Sequence, residues 1–445
     1  MLRVGPLALV VIRNVDEVSM LWKSTKAFTF DGFIQDMYRG IDIPESSFMP
    51  LFADLHTFGK FEDPQPAFIA ENPNKKPYIE VQFDWIKDQL QPGPLMEDTL
   101  QKIYGNLSHL LEWDNMSPAL FRAEEKTRVV NLYQWSQHFL VEAAIKAFMG
   151  PELFDLDPNF TQHYIDWENT SWKVAYRYPA IFARDMHKAK EIVVDALEGY
   201  FALDSRPNIS WLFERMQTEQ RRTGIPRRQA ACLNLLMLLG INLNSPRTLF
   251  WVLAHIFQDP ALYEAVLKEV RASCNSDGTV NPELLVKQCA ILDAVWLEVL
   301  RLYNNSSVAR TAVVPMTIQG KHISPGMQVI APFRTFALSQ GFVGEGVDPL
   351  KFDAFRFIRD PSLVKHKAYF PFSGGKTYCP GRQIAKAELF YFVATMLNRY
   401  EIEPVAGNKA GFEVPAIATD KPNLGVIGPA TDIVLRLRRR DGAEE

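Results

Sequence analysis

Hydrophobic positions along this chain recur mostly with the helical period, and charged residues fill the intervening faces. Val130 to Phe148, Asp185 to Phe201, Pro260 to Arg271 and Pro282 to Tyr303 each predict an amphipathic helix. Asp259-Pro260 marks a start, since Asp can cap and Pro suits the first helical turn. Strand-like text is confined mostly to residues 1–20, to Arg310–Pro332 around the turn Ser324-Pro325-Gly326, and to the C-terminal tail. The apolar run Gly5 to Ile12 is too short to span a bilayer and predicts a buried strand. Cys232 to Ile256 is the most apolar stretch, but three Asn, a Pro and an Arg near its middle point to a central core helix rather than a membrane span, bent at Pro246. No repeat or Gly/Ser linker interrupts the pattern. The expectation is one domain over residues 1–445, mainly α with small β-sheets.

Composition narrows the function. The 445 residues carry a formal charge of −4, which gives no basic excess for tracking a nucleic-acid backbone. Cys232, Cys274, Cys289 and Cys379 form no CxxC pair and no Cys/His cluster, so neither a disulfide framework nor a zinc site is expected. A reducing compartment suits them better. His138, His187 and His255 lie in helical runs and read as ordinary core or surface residues.

The chemistry concentrates around Cys379. From Phe372 to Gly381 the text is FSGGKTYCPG, followed by an apolar-periodic helix from about Gln383 to Tyr400. Glycines on both sides allow a tight turn and close approach to a flat ligand, and the next helix start points amide donors towards the sulfur, which favours thiolate over thiol. Upstream, Glu298 and Arg301 lie one turn apart on a helical face, close enough for the guanidinium to grip the carboxylate. An exposed pair of this kind contributes less than about 1 kcal/mol. In so apolar a helix the pair is expected to be buried, where removing one partner costs roughly 3–5 kcal/mol.

These features together resemble the cytochrome P450 signature, in which Phe, Gly, Cys and Gly at fixed spacing wrap the proximal face of haem. Phe372, Gly375, Cys379 and Gly381 occupy those positions, while Glu298, Arg301 and Arg356 match the family's Glu-x-x-Arg pair and its completing Arg. The resemblance runs from the first strand to the end of the chain. Within the superfamily it is greatest to the sterol 7α-hydroxylase and prostacyclin synthase branch, through VARTAV at Val308–Val313, LFW at Leu249–Trp251 and the tail Pro422–Ile433. It implies a haem b cofactor with Cys379 as axial thiolate ligand, and propionate contacts from Arg310, with Trp85 and Lys87 as further candidates. Thr377 stands where many relatives place Arg or His, a departure for which neighbouring Lys376 is the candidate substitute.

The central helix departs further. Where many oxygen-activating relatives carry an acid followed by Thr, this chain reads GINLNSP, leaving Asn242, Asn244 and Ser245 as candidate catalytic residues. Two activities follow. One is a monooxygenase using dioxygen and electrons that pass from NADPH through a reductase. The other is a haem-thiolate isomerase acting on a peroxide without reductase. Apolar, aromatic stretches at Leu55–Tyr78, Trp172–Phe182, Asn305–Val308 and Val414–Ile417 suit a lipophilic substrate of sterol, terpenoid or alkaloid type, as in natural-product biosynthesis. Relatives of this kind begin with a transmembrane anchor and a Pro-rich hinge, neither of which precedes Leu2. For a full-length parent the expected place is the endoplasmic reticulum membrane, facing the cytosol, with reductase docking near Lys376, Arg382 and Lys386.

Overall fold

The computed structural model describes residues 2–4, 7–24, 26–53, 72, 74–176, 178–318, 320–405 and 412–440. Much of the Leu55–Tyr78 stretch therefore lies outside the described residues. The longer helices are α1 (Val18–Lys23), α2 (Asp31–Gly40), α3 (Tyr78–Leu90), α4 (Pro94–Leu110), α5 (Leu132–Met149), α6 (Phe160–Glu168) and α7 (Arg184–Tyr200). They continue as α8 (Trp211–Arg222), α9 (Arg227–Asn242), α10 (Ser245–Gln258), α11 (Pro260–Ala272), α12 (Pro282–Gln288), α13 (Ala290–Tyr303) and α14 (Arg382–Arg399). The expected class, mainly α with small sheets, is the observed one. No helix among the described residues is long and apolar enough to cross a membrane.

The strands are β1 (Leu2–Val4), β2 (Leu7–Val11), β3 (Phe28–Thr29), β4 (Arg122–Glu124), β5 (Thr127–Asn131), β6 (Ser307–Ala312), β7 (Met316–Ile318), β8 (Lys321–Ile323), β9 (Gln328–Pro332), β10 (Tyr400–Pro404) and β11 (Val434–Arg439). One sheet runs β1-β2-β9-β6-β3, a second β10-β11-β5-β4, and β7-β8 is a hairpin. Among the described residues only β2–β9 is parallel, with Val10 opposite Val329. In β6 the period of two buries Val308, Arg310 and Ala312 together, so the strand itself turns Arg310 inward. The first sheet has its own core of Val10, Ile12, Val308 and Val329, and the helices enclose the larger one.

Several expectations are corrected. The segment before Leu132 is strand, not helix: β5 pairs with β11 from the far end of the chain, and the Asp432 carboxylate starts α5 by accepting from the amides of Tyr133 (2.7 Å) and Gln134 (3.1 Å). The helix α5 that follows is buried almost all round rather than amphipathic. Cys232 to Ile256 is two helices, α9 and α10, separated at Leu243-Asn244. Pro246 does not bend a continuous helix but sits in the first turn of α10, where a missing N–H costs nothing. Pro282 to Tyr303 is likewise broken at Cys289, because the Glu269 carboxylate of α11 takes the amides of Ile291 and Leu292 and caps a new helix start. By contrast, Asp259 caps α11 as expected, through Ala261 and Leu262. In α14 every residue from Ala387 to Leu397 is buried, which marks a central helix rather than a one-faced one.

Helix α13 holds the segment that leads to Cys379. Glu298 and Arg301 are fully buried and doubly bonded (2.7 and 2.9 Å), and Arg356 Nε reaches Glu298 Oε2 at 3.1 Å. The remaining donors of Arg301 go to the carbonyls of Pro349 (2.7 Å) and Lys351 (3.2 Å), while the Asp353 amide donates to Glu298 (3.1 Å). The network fastens residues 349–356 to α13 with almost every polar atom satisfied. Arg301→Ala is expected to lower unfolding stability by roughly 3–5 kcal/mol, because Glu298 keeps its buried charge but loses two donors. Urea titration checks this, and an unchanged midpoint would show that the network is not holding the segment.

Candidate functional site

The chain from Phe370 to Gly381 has little regular structure, so its shape depends on outside anchors. Asn304, just beyond α13, donates to Pro371 O (2.7 Å), the Tyr369 hydroxyl donates to Leu297 O (2.8 Å), and the Cys379 amide closes the loop onto Phe372 O (2.9 Å). Phe372 packs against Trp296 of α13 with ring centroids 5.7 Å apart. Gly375 has φ +60°, and a Cβ there would lie 2.7 Å from Trp22 of α1, so both conformation and space demand glycine. The loop is clamped between α1 and α13.

Cys379 opens into a cavity of about 360 Å³ whose walls include Leu90, Met237, Ile241, Trp296, Leu300, Phe372 and Val426. Burial pushes its thiol above the ordinary value, although the amide of Gly381, the charge of Arg382 and the amide of Arg382 pull the other way. The expected preference for thiolate is thus not a property of the loop alone; coordination of a metal would deprotonate the sulfur outright.

A second cavity of about 440 Å³ is lined by Arg310, Lys376, Lys87 and Trp22, and Thr377 lines both cavities. Arg310 is buried yet forms no ion pair among the described residues, although Asp31, Glu80 and Asp84 line the same cavity. Its guanidinium donates to Thr377 Oγ1 (2.6 Å) and to Ala309 O (2.8 Å), and burial lowers its pKa to about 10. Thr377, the sequence departure, therefore orients Arg310. A buried cation outside any ion pair, next to an apolar cavity ending in a cysteine, fits a flat apolar cofactor with an acidic edge. Lys376 is exposed at the rim, and Lys87 is paired with Asp84 at 3.3 Å. Trp85 does not line either of these cavities. Its ring is near Tyr78 and under Arg215, and it lines a separate cavity with Asp84 and Asp88.

The wall opposite Cys379 is the break between α9 and α10. Asn244 and Ser245 both line the cavity. Asn242 does not: its amide donates to Leu238 O (3.0 Å) within α9, the same carbonyl that accepts from the Tyr164 hydroxyl of α6 (3.1 Å). Asn244 Oδ1 accepts the amide of Val426 at 2.8 Å, and a Cβ on Gly425 would come within 1.9 Å of that oxygen, so the C-terminal loop is laced tightly into the break. Trp251 adds a bond to Ile427 O at 2.6 Å.

Ser245 Oγ lies 2.5 Å from Oε1 of Glu388, a buried residue of α14 that also lines the cavity. Burial raises the Glu388 carboxyl to about 7, against the opposing effect of the Ser245 bond. Sequence reasoning missed this residue. Its one signal was an acid within the apolar run Ala387 to Leu397.

A mainly helical protein with a cavity, suited to a large flat cofactor, between a cysteine loop and a broken central helix is the class this fold defines. The chain belongs to the cytochrome P450 family, whose sequence description, Cytochrome P450, matches residues 112–424. Cytochromes P450 carry haem whose iron is held by a cysteine thiolate. Similar proteins include the cytochrome P450 monooxygenase calL of Penicillium decumbens (26% identical, covering 67% of this chain and 62% of the relative) and nodJ of Hypoxylon pulicicidum (26%, 71% and 64%). Rabbit (Oryctolagus cuniculus) cytochrome P450 7A1 is 24% identical over 73% of this chain and 70% of its own. The chain thus spans less than two thirds of the fungal relatives' length.

Because the folded state retains the Glu388 proton beyond its ordinary value of 4.5, stability should fall as pH rises from about 4.5 to about 7, then level off. Glu388→Gln is expected to flatten that slope in unfolding titrations across this range. A slope identical to that of the unaltered protein would place the titration elsewhere.

Proposed function

We propose that this chain is a haem-thiolate monooxygenase that inserts an oxygen atom into a lipophilic small molecule, with residues 1–445 forming one catalytic domain. The observation that carries the reading is the apolar cavity joining Cys379 to the Asn244-Ser245 break. Cys379 would hold the haem iron through its sulfur; Phe372, Gly375 and Gly381 shape its loop; and Arg310, with Lys376 and Lys87, would take the propionates. Haem bound there, with a thiolate ligand, supplies dioxygen activation using electrons from NADPH through a reductase. The protein's own part is to exclude water with Leu300, Ile241 and Val426, to hold Arg310 by Thr377, and to keep a polar pair at Asn244 and Ser245.

The similarity to fungal P450 monooxygenases and to cholesterol 7-alpha-monooxygenase of Cricetulus griseus (25% identical over 57% of this chain and 53% of the relative) supports the monooxygenase reading, and the apolar cavity walls suit a lipophilic substrate of sterol, terpenoid or alkaloid type. Exposed Tyr176, Tyr178, Ile181 and Phe182 form an apolar face suited to a membrane surface, consistent with the cytosolic side of the endoplasmic reticulum. Reductase would meet the cysteine side, where Lys376 is exposed and Arg382 stacks on exposed Tyr378 (4.4 Å). Lys386 contributes less there, being paired with Asp293 at 2.7 Å.

The test is isotopically labelled dioxygen with NADPH and reductase, run beside a lipid hydroperoxide alone. Incorporation of label into candidate substrates is the expected outcome. Rearrangement of the hydroperoxide without NADPH use or label incorporation would establish the isomerase instead.

A further inference from the structure

Behind one wall of the Cys379 cavity stands a column of aromatic rings. Thr248, Asn304 and Val426 line that cavity, and Asn304 and Val426 pair as a β-bridge. Trp251, one turn beyond Thr248 on α10, is fully buried, and its indole Nε1 donates to the carbonyl of Ile427, next to Val426. Its ring lies flat on Tyr303, the last residue of α13, with centroids 3.9 Å apart and planes 5° apart. The Tyr303 hydroxyl is 2.9 Å from Nε2 of His255, one turn further along α10, and that imidazole lies flat on Phe352 (3.7 Å, 4°). Packing alone would favour apolar rings at such places, since a buried phenol and imidazole must be solvated by each other. The column instead sets two oxidisable rings face to face, with overlapping π orbitals, and puts a proton acceptor on the second. Burial lowers His255 to about 3 and raises the Tyr303 phenol, so at neutral pH both are uncharged. An oxidised phenol is so strong an acid that even this weak base takes its proton. Tyr303 is half-buried, within reach of electrons from solution.

Resting on the reading that haem is held at Cys379, we propose that Trp251, Tyr303 and His255 form an outlet for oxidising equivalents, which ends in a radical on Tyr303 when the cavity holds no substrate to oxidise. Reduction of hydrogen peroxide to two waters takes two electrons and two protons. One electron leaves the Trp251 indole; Tyr303 refills it and becomes a neutral radical as its phenol proton moves to His255 Nε2. A one-electron donor such as ascorbate restores Tyr303 as the proton returns from His255, and a second passage supplies the other electron. Each ascorbate also releases a proton to solvent, which balances the two protons consumed in the cavity.

Freeze-quenched electron paramagnetic resonance of the haem-loaded, substrate-free protein mixed with hydrogen peroxide tests this without substrate turnover. A tyrosyl signal should form, narrow when the protein carries ring-deuterated tyrosine, and lose most of its intensity in Tyr303→Phe, which keeps the stack and removes only the hydroxyl. Trp251→Phe should lose it likewise, and His255→Leu should slow its appearance several-fold. Ascorbate should prolong the Soret band under peroxide in the unaltered protein and not in Tyr303→Phe; a role in packing alone would move neither readout. If Trp251→Phe or His255→Leu fails to fold, Tyr303→Phe still decides. A signal undiminished in Tyr303→Phe, or a haem-loaded protein that forms no tyrosyl radical, would overturn the outlet alone. A protein that takes up no haem would overturn the reading beneath it.

Discussion

The grip of α13 on the extended segment ending in Cys379 is the constraint on which the cavity depends, and it centres on the buried carboxylate of Glu298. That carboxylate accepts from Arg301, Arg356 and the Asp353 amide, so the helix and residues 349–356 cannot separate without leaving charge unpaired in the interior. Further along, the same helix region binds Tyr369 through Leu297 O and Pro371 through Asn304. A loop with little regular structure thereby acquires a fixed shape from a rigid neighbour.

The second constraint comes from the other end of the chain. Residues 423–428 insert into the break between α9 and α10, where Asn244 and Trp251 hold their backbone. This keeps Ser245 at a helix start instead of inside a continuous helix, and its hydroxyl then reaches Glu388 on α14. The loop that starts from the tail thus decides which polar groups the cavity presents. Arg310 follows a similar logic, turned inward by strand alternation and oriented by Thr377.

The elements legible in the sequence were those fixed by local spacing. Glu298 and Arg301 one turn apart, the glycines around Cys379, the cap at Asp259 and the helical α7 all follow from short-range geometry. What the spacing could not carry were outcomes of distant contacts. Strand β5 depends on β11, and the break at Cys289 on a carboxylate from α11. Asn242 and Asn244 stand two positions apart, yet only where α9 ends decides that Asn244 reaches the cavity while Asn242 turns back to Leu238 O. Trp85 looked available for the cofactor edge, but its packing beside Tyr78 points it to a different cavity. Glu388 was a lone acid in an apolar helix, and nothing nearby in sequence names Ser245 as its partner.

The central claim is that Cys379 binds haem iron as a thiolate, and the most direct measurement is the absorption spectrum of the dithionite-reduced protein with and without carbon monoxide. The account predicts the red-shifted Soret band of a thiolate-bound ferrous carbonyl, and its loss in Cys379→Ala, because Cys232, Cys274 and Cys289 lie outside the cavity. Bound haem with an imidazole-like carbonyl spectrum, or a Cys379→Ala variant with an unchanged spectrum, would contradict it.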